Sequence, residues 1–141
     1  MVQQLSVLTV LCICSYEDLK NKQIHTGWLV IFAAEGILIW FFGGNWAFDR
    51  VMIALLPGFC MLLLSFATRG GIGEGDGLLL MTTGILSEGR DILDIFLYAL
   101  LFSGIYALFL FVAGKKKGND EIAFVPFILL SFVGNMLGCS F

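Results

Sequence analysis

The sequence predicts an all-α membrane protein with about six transmembrane helices and with both termini on the non-cytoplasmic side. Hydrophobic residues make up 59% of the 141 residues, charged residues only 13%, and the mean hydropathy is +0.95. A soluble domain is usually about half apolar and about a quarter charged, so much of this surface is expected to face lipid. The apolar runs are continuous rather than alternating, which disfavours a β-barrel. A net charge of -3 without a basic stripe argues against a nucleic-acid partner.

Apolar runs separated by short polar stretches predict the helices, and the whole chain, residues 1–141, is expected to form one domain. The runs cover residues 5–15, 28–42, 51–67, 78–86, 92–113 and 122–141. Only residues 92–113 supply the roughly 20 apolar residues that a straight span needs. The shortest run, residues 78–86, would need flanking residues or a locally thinned membrane.

The distribution of Lys and Arg among the loops predicts the orientation. The second and fourth loops hold only two basic residues, Arg50 and Arg90. The first, third and fifth loops together hold the larger set of basic residues, which is Lys20, Lys22, Arg69, Lys115, Lys116 and Lys117. The positive-inside rule places the larger set in the cytoplasm, which puts both termini outside. No basic residue precedes the first apolar run, so a retained helix is expected there rather than a cleaved signal peptide.

Two polar stretches on the predicted cytoplasmic side, residues 16–25 and 70–77, carry one aspartate each at a membrane boundary, Asp18 and Asp76. Two carboxylates held close together share one proton. The ionised one can take a proton from water while the other donates to a peptide carbonyl oxygen. Two carboxylates are therefore enough to hydrolyse a peptide, provided that packing of the first and fourth helices brings Asp18 and Asp76 together, and no metal or other cofactor is expected.

The glycines of the second stretch, Gly73, Gly75 and Gly77, surround Asp76 and permit another chain to approach closely. The segment from Gly73 to Asp76 matches the Gly-x-Gly-Asp motif of membrane aspartyl proteases, and with the leucines that follow it most resembles the type IV prepilin peptidase family. Residues 18–24 resemble the family's loop with the other catalytic aspartate. Residues 125–127, Val-Pro-Phe, are similar to the Pro-Phe pair of its last helix.

This resemblance implies catalytic roles for Asp18 and Asp76 and cleavage of prepilin-like leaders at the cytoplasmic face of a prokaryotic inner membrane. It implies a prepilin or pseudopilin substrate and a multi-pass protein in the lipid bilayer. The cysteine-bearing methyltransferase domain of longer family members has no counterpart in the sequence, so a peptidase without methyltransferase activity is expected. Whether the substrate serves a type IV pilus, competence, protein secretion or an archaellum stays open.

Acidic residues on the predicted cytoplasmic side are expected to attract the short basic leader. They are Glu17, Glu74, Asp120 and Glu121.

Simpler interpretations compete with these roles. Asp76 can cap the next helix, and Asp18 can be a solvated charge in a basic loop. Glu35 lies in the middle of an apolar helix, where a charge is costly and often functional. A hydrogen-bonded packing role for Glu35 is favoured over a third catalytic-site acid or a transport site. The alternative functions are a small polytopic transporter that uses Glu35 and Asp76, and a noncatalytic pilus or secretion assembly subunit.

Overall fold

The structure, a computed structural model, describes residues 2–21, 23–44, 47–67, 73–89, 91–114 and 123–138. Over these residues it contains six helices and no strand. The helices are α1 (Val2–Asn21), α2 (Thr26–Gly43), α3 (Phe48–Ala67), α4 (Glu74–Leu86), α5 (Ile92–Val112) and α6 (Val125–Met136). The prediction of an all-helical protein is confirmed, and each predicted apolar run corresponds to one helix.

Three of the described helices, α2, α3 and α5, are long and apolar enough to cross a membrane. The helix α4 has 13 residues and α6 has 12, which is short for a straight span. The presence of six helices is thus confirmed, whereas six membrane crossings and the side of the termini stay predictions.

The short helix α4 lies at the centre of the bundle, where it contacts α1, α2, α3 and α5. More than half of its residues are buried, and the buried ones are Gly77, Leu79, Leu80, Thr82, Thr83, Gly84 and Leu86. The hydroxyls of its two threonines donate to carbonyls of the preceding turn, so their burial leaves these polar groups paired. Because other helices surround it, α4 does not need the length of a lipid-facing helix.

Small residues bring α3 and α4 into backbone contact. A Cβ atom at Gly77 would lie 2.8 Å from Leu62 Cγ and 3.1 Å from the Gly58 carbonyl oxygen. A Cβ atom at Gly84 would overlap the carbonyl of Ala54. Close approach through small residues is a common way for helices to pack in membranes, where lipid gives them little hydrophobic drive to associate. This contact fixes the position of α4, including its first turn.

Polar side chains along α1 attach it to neighbouring helices. Gln3 Nε2 donates to Glu88 Oε1 at 2.7 Å, just beyond the end of α4. Ser6 Oγ donates to Glu35 Oε1 at 2.7 Å, on α2. The contact with Ser6 agrees with the interpretation of Glu35 as a hydrogen-bonded packing residue. A polar group is costly in an apolar interior unless it finds such a partner.

Candidate functional site

Asp18 lies in the last turn of α1 rather than in the loop that the sequence predicts. The residue is only 7% exposed, so it is not a solvated loop charge. The backbone N–H of Val125 donates to Asp18 Oδ2 at 3.2 Å. Val125 is the first residue of α6, where backbone N–H groups have no acceptor within the helix. The positive end of the α6 dipole and this hydrogen bond both favour the ionised form of the carboxyl group.

The start of α6 is set by its sequence. Pro126 lies in the first turn, where its missing N–H leaves no helical hydrogen bond unmade. The N–H groups of Phe127 and Ile128 donate to the Phe124 carbonyl oxygen, at 3.0 and 3.3 Å. The N–H of Val125 is directed at Asp18 instead.

Asp76 lies in the first turn of α4, after Gly73, which occupies the N-cap position. The helix-cap interpretation of Asp76 is therefore wrong, and its N–H donates to the Gly73 carbonyl oxygen at 3.2 Å. A Cβ atom at Gly73 would lie 3.3 Å from Asp76 Oδ2. Glycine at this position leaves the space beside the carboxyl group open.

The two carboxyl groups influence each other. Burial and, to a smaller extent, the negative charge of Asp18 together raise the pKa of Asp76 from 3.8 to about 7. Asp76 lies in the first turn of α4, outside the three helices that are long enough to span. A charge acts on a neighbour's pKa in this way only at short range, and α1 and α4 are in contact. Asp18 and Asp76, hereafter the aspartate pair, are the candidate site.

Gly75 of the motif and Gly77, which follows Asp76, lie against the protein's own side chains. A Cβ atom at Gly75 would lie 3.3 Å from Ile24 Cβ, in the segment between α1 and α2. Gly77 faces Leu62 of α3, as described above. Gly73 thus lies beside the carboxyl group of Asp76, Gly75 beside the segment between α1 and α2, and Gly77 beside α3.

The remaining predicted site residues are placed differently. Glu74 is exposed in the first turn of α4. Glu17 Oε2 accepts a hydrogen bond from the His25 backbone N–H at 3.2 Å, and its Oε1 lies 3.7 Å from His25 Nδ1. Asp120 and Glu121 lie outside the described residues.

Glu35 does not belong to the aspartate pair. It is hydrogen-bonded to Ser6, which precedes Asp18 by three turns of α1, and a turn rises about 5.4 Å. Sequence reasoning missed the roles of Val125 and Ile24. The signal for Val125 is Pro126, since a proline marks the first turn of a helix. Ile24 carries no comparable signal.

Three helices long and apolar enough to cross a membrane, with one aspartate in the last turn of α1 and another in the first turn of α4, are typical of a multi-pass membrane protein with a carboxylate site. The model of the type IV leader peptidase family matches residues 5–108, which include the aspartate pair. The chain belongs to the type IV leader peptidase family, as its motifs predict, and is a leader peptidase-like protease. No curated protein and no solved structure shows significant similarity to it.

Proposed function

We propose that this protein is an aspartic endopeptidase that removes short basic leaders from type IV prepilin-like substrates at the cytoplasmic face of the prokaryotic inner membrane. The observation that carries the proposal is the effect of Asp18 on the pKa of Asp76, which burial and this neighbour together raise to about 7. Two carboxyl groups that hold one proton between them are the reacting groups of aspartic peptidases. Membership of the leader peptidase family supports the same reaction class.

The surroundings of the two aspartates support different roles for them. Asp18 accepts the hydrogen bond from Val125 at the start of α6, which favours its carboxylate form. Because the pKa of Asp76 is raised to about 7, chiefly by burial, a large fraction of its carboxyl groups is protonated near pH 7. Asp18 is therefore the general base and Asp76 the general acid.

The reaction follows from these roles. Asp18 takes a proton from water as the water oxygen bonds to the peptide carbonyl carbon, and Asp76 gives its proton to the carbonyl oxygen. The product is a neutral gem-diol. Asp18 then gives its proton to the peptide nitrogen, Asp76 takes one back from a gem-diol hydroxyl, and the C–N bond breaks. The carboxylic acid and amine products leave, and Asp18 is again ionised and Asp76 again protonated.

Leader capture is proposed to depend on acidic residues near the aspartate pair. Glu74 is exposed two residues before Asp76, so its charge reaches solvent beside the reacting groups. Asp120 and Glu121 add two acidic residues on the predicted cytoplasmic side. Opposite charges at a membrane surface attract over about a Debye length, roughly 8 Å at physiological salt. The leader's basic residues would be held at the surface while its apolar segment stays in the bilayer.

The test is cleavage of coexpressed prepilin-like proteins, followed by the loss of leader mass. The native protein is expected to cut, and Asp18→Asn and Asp76→Asn are expected not to cut although both insert in the membrane. Asp49→Asn is the matched control, because Asp49 is an exposed aspartate in the first turn of α3. Cleavage that survives either substitution in the aspartate pair would contradict the proposal.

A further inference from the structure

Glu17 closes the segment that joins α1 to α2. One of its carboxylate oxygens accepts a hydrogen bond from the His25 backbone N–H, and the other lies beside the His25 imidazole. His25 is the N-cap residue of α2, so Glu17 ties the end of one helix to the start of the next. The Glu17 side chain is 18% exposed, whereas that of His25 is 72% exposed. The carboxylate is thus turned toward the segment rather than into open solvent.

Ile24 lies inside this closed segment and reaches the first turn of α4. Its Cβ and Cδ1 atoms lie 3.3 and 3.4 Å from the position of a Cβ atom on Gly75. It is partly buried and packs on the apolar core. Gly75 directly precedes Asp76, so Ile24 packs on the backbone that carries the partly buried carboxyl group.

We propose that Glu17, Ile24 and His25 form a clasp that positions Asp76 against Asp18, an inference that rests on the proposed function. Neighbouring residues on a helix point in different directions, so Glu17 can hold the segment while Asp18 faces the site. With the segment held by Glu17, Ile24 packs against Gly75 and fixes the position of the start of α4 relative to α1. Glu17 and Ile24 are positioning residues and do not touch the substrate.

A clasp and a leader contact at Glu17 make opposite predictions. The clasp needs a hydrogen-bond acceptor for the His25 N–H, which a glutamine also supplies through its amide oxygen. A leader contact needs the negative charge, which glutamine lacks. A clasp acts on the geometry of the reacting groups and so on kcat, whereas a leader contact acts on KM.

The kinetic test compares Glu17→Ala with Glu17→Gln in the full-length protein in native membranes. Glu17→Ala is expected to lower kcat about 10- to 100-fold with KM changed less than about twofold, because a shift of about 1 Å in a reacting group has effects of this size. Glu17→Gln is expected to restore most of kcat. Equal losses in both variants, expressed in KM, would assign Glu17 to the leader and overturn the clasp.

A second readout does not depend on cleavage. Ile24→Cys with Gly75→Cys places two Cβ atoms at about the separation of a disulfide, in a background whose native cysteines are replaced. With Glu17 present, a mild oxidant is expected to crosslink residues 24 and 75 rapidly. Glu17→Ala is expected to slow crosslinking at least fivefold, and Glu74→Ala, a neighbouring acid outside the clasp, is expected to leave it unchanged.

The two readouts separate the clasp from the proposed function. A crosslinking rate that Glu17→Ala leaves unchanged overturns the clasp, even if the aspartate pair proves essential for cleavage. Slowed crosslinking in a protein that cuts no prepilin-like substrate supports the clasp and contradicts the proposed function.

Discussion

The backbone N–H of Val125 donates a 3.2 Å hydrogen bond to Asp18 Oδ2 and so joins the start of α6 to the end of α1. The two residues are 107 positions apart in the sequence. The bond gives the aspartate pair its asymmetry, because Asp18 receives a donor at a helix start while burial dominates at Asp76. An asymmetric pair has one member ready to accept a proton and one ready to donate.

The first prediction concerns pH. Asp76 must carry a proton to act as the acid, and its pKa is about 7, so cleavage is lost as the pH rises through about 7. Below that value activity is retained until Asp18 becomes protonated, which gives a bell-shaped profile. The measurement is kcat/KM against pH, which reports ionisations of the free enzyme. Activity that keeps rising from pH 7 to pH 9 would show that Asp76 is not the acid.

The second prediction concerns the bond between α6 and Asp18. Replacing the Val125 amide with an ester removes the N–H and keeps the side chain. A hydrogen bond to a charged group stabilises the charged form, so the acid side of the pH profile should move to higher pH when the N–H is removed. The same replacement at Ile128 is the control, because its N–H donates to Phe124 instead. Equal shifts at both positions would mean that the Val125 bond has no special effect on the aspartate pair.

The third prediction concerns helix packing. Gly84→Ala forces a Cβ atom onto the Ala54 carbonyl and should destabilise the bundle by about 1–3 kcal/mol. Gly104→Ala is the matched control, since Gly104 is also inside a helix but has nothing within 4 Å of the added atom. Thermal unfolding in detergent measures both variants. A control that is destabilised as much as Gly84→Ala would remove the steric explanation.

The fourth prediction separates the peptidase from a transporter. Glu35→Gln keeps an acceptor for the Ser6 hydroxyl and removes a group that could carry a proton or an ion. Leader cleavage is expected to stay within about twofold of the native rate, since Ser6, the partner of Glu35, lies about three helical turns from Asp18 along α1. Complete loss of cleavage in a folded variant would instead give Glu35 a functional role.

The fifth prediction concerns leader capture by Glu74. Glu74→Lys should raise KM for a basic leader several-fold at low salt and much less at high salt, because salt screens exposed charges. Asp94→Lys is the control, since Asp94 is an exposed acid in the first turn of α5. Equal effects of Glu74→Lys at both salt concentrations would rule out electrostatic capture.

The motif around Asp76 and the boundary position of Asp18 were sufficient to predict membership of the leader peptidase family, because short sequence patterns carry that information, whereas the catalytic pairing of the two aspartates stays a prediction. The partner of Asp18 could not be predicted, since only folding brings Val125 next to it. The central position of α4 in the bundle could not be predicted either, because its short apolar run is typical of a weak membrane span. The packing role of its glycines follows from the residues of α3 that they contact, and these contacts form only in the folded protein. The engagement of Glu17 with His25 likewise depends on the turn between α1 and α2, where the sequence indicates only an exposed acid.

The most direct test of the central claim is a double-mutant comparison of Asp18→Asn, Asp76→Asn and the double variant in purified protein with a prepilin-like substrate. If the aspartates act as one unit, each single change should lower kcat by about 10⁴-fold or more, and the double variant should lose little beyond that. Retention of cleavage within about tenfold of the native rate in either single variant would contradict the account. Losses that multiply in the double variant would show that the two aspartates act independently.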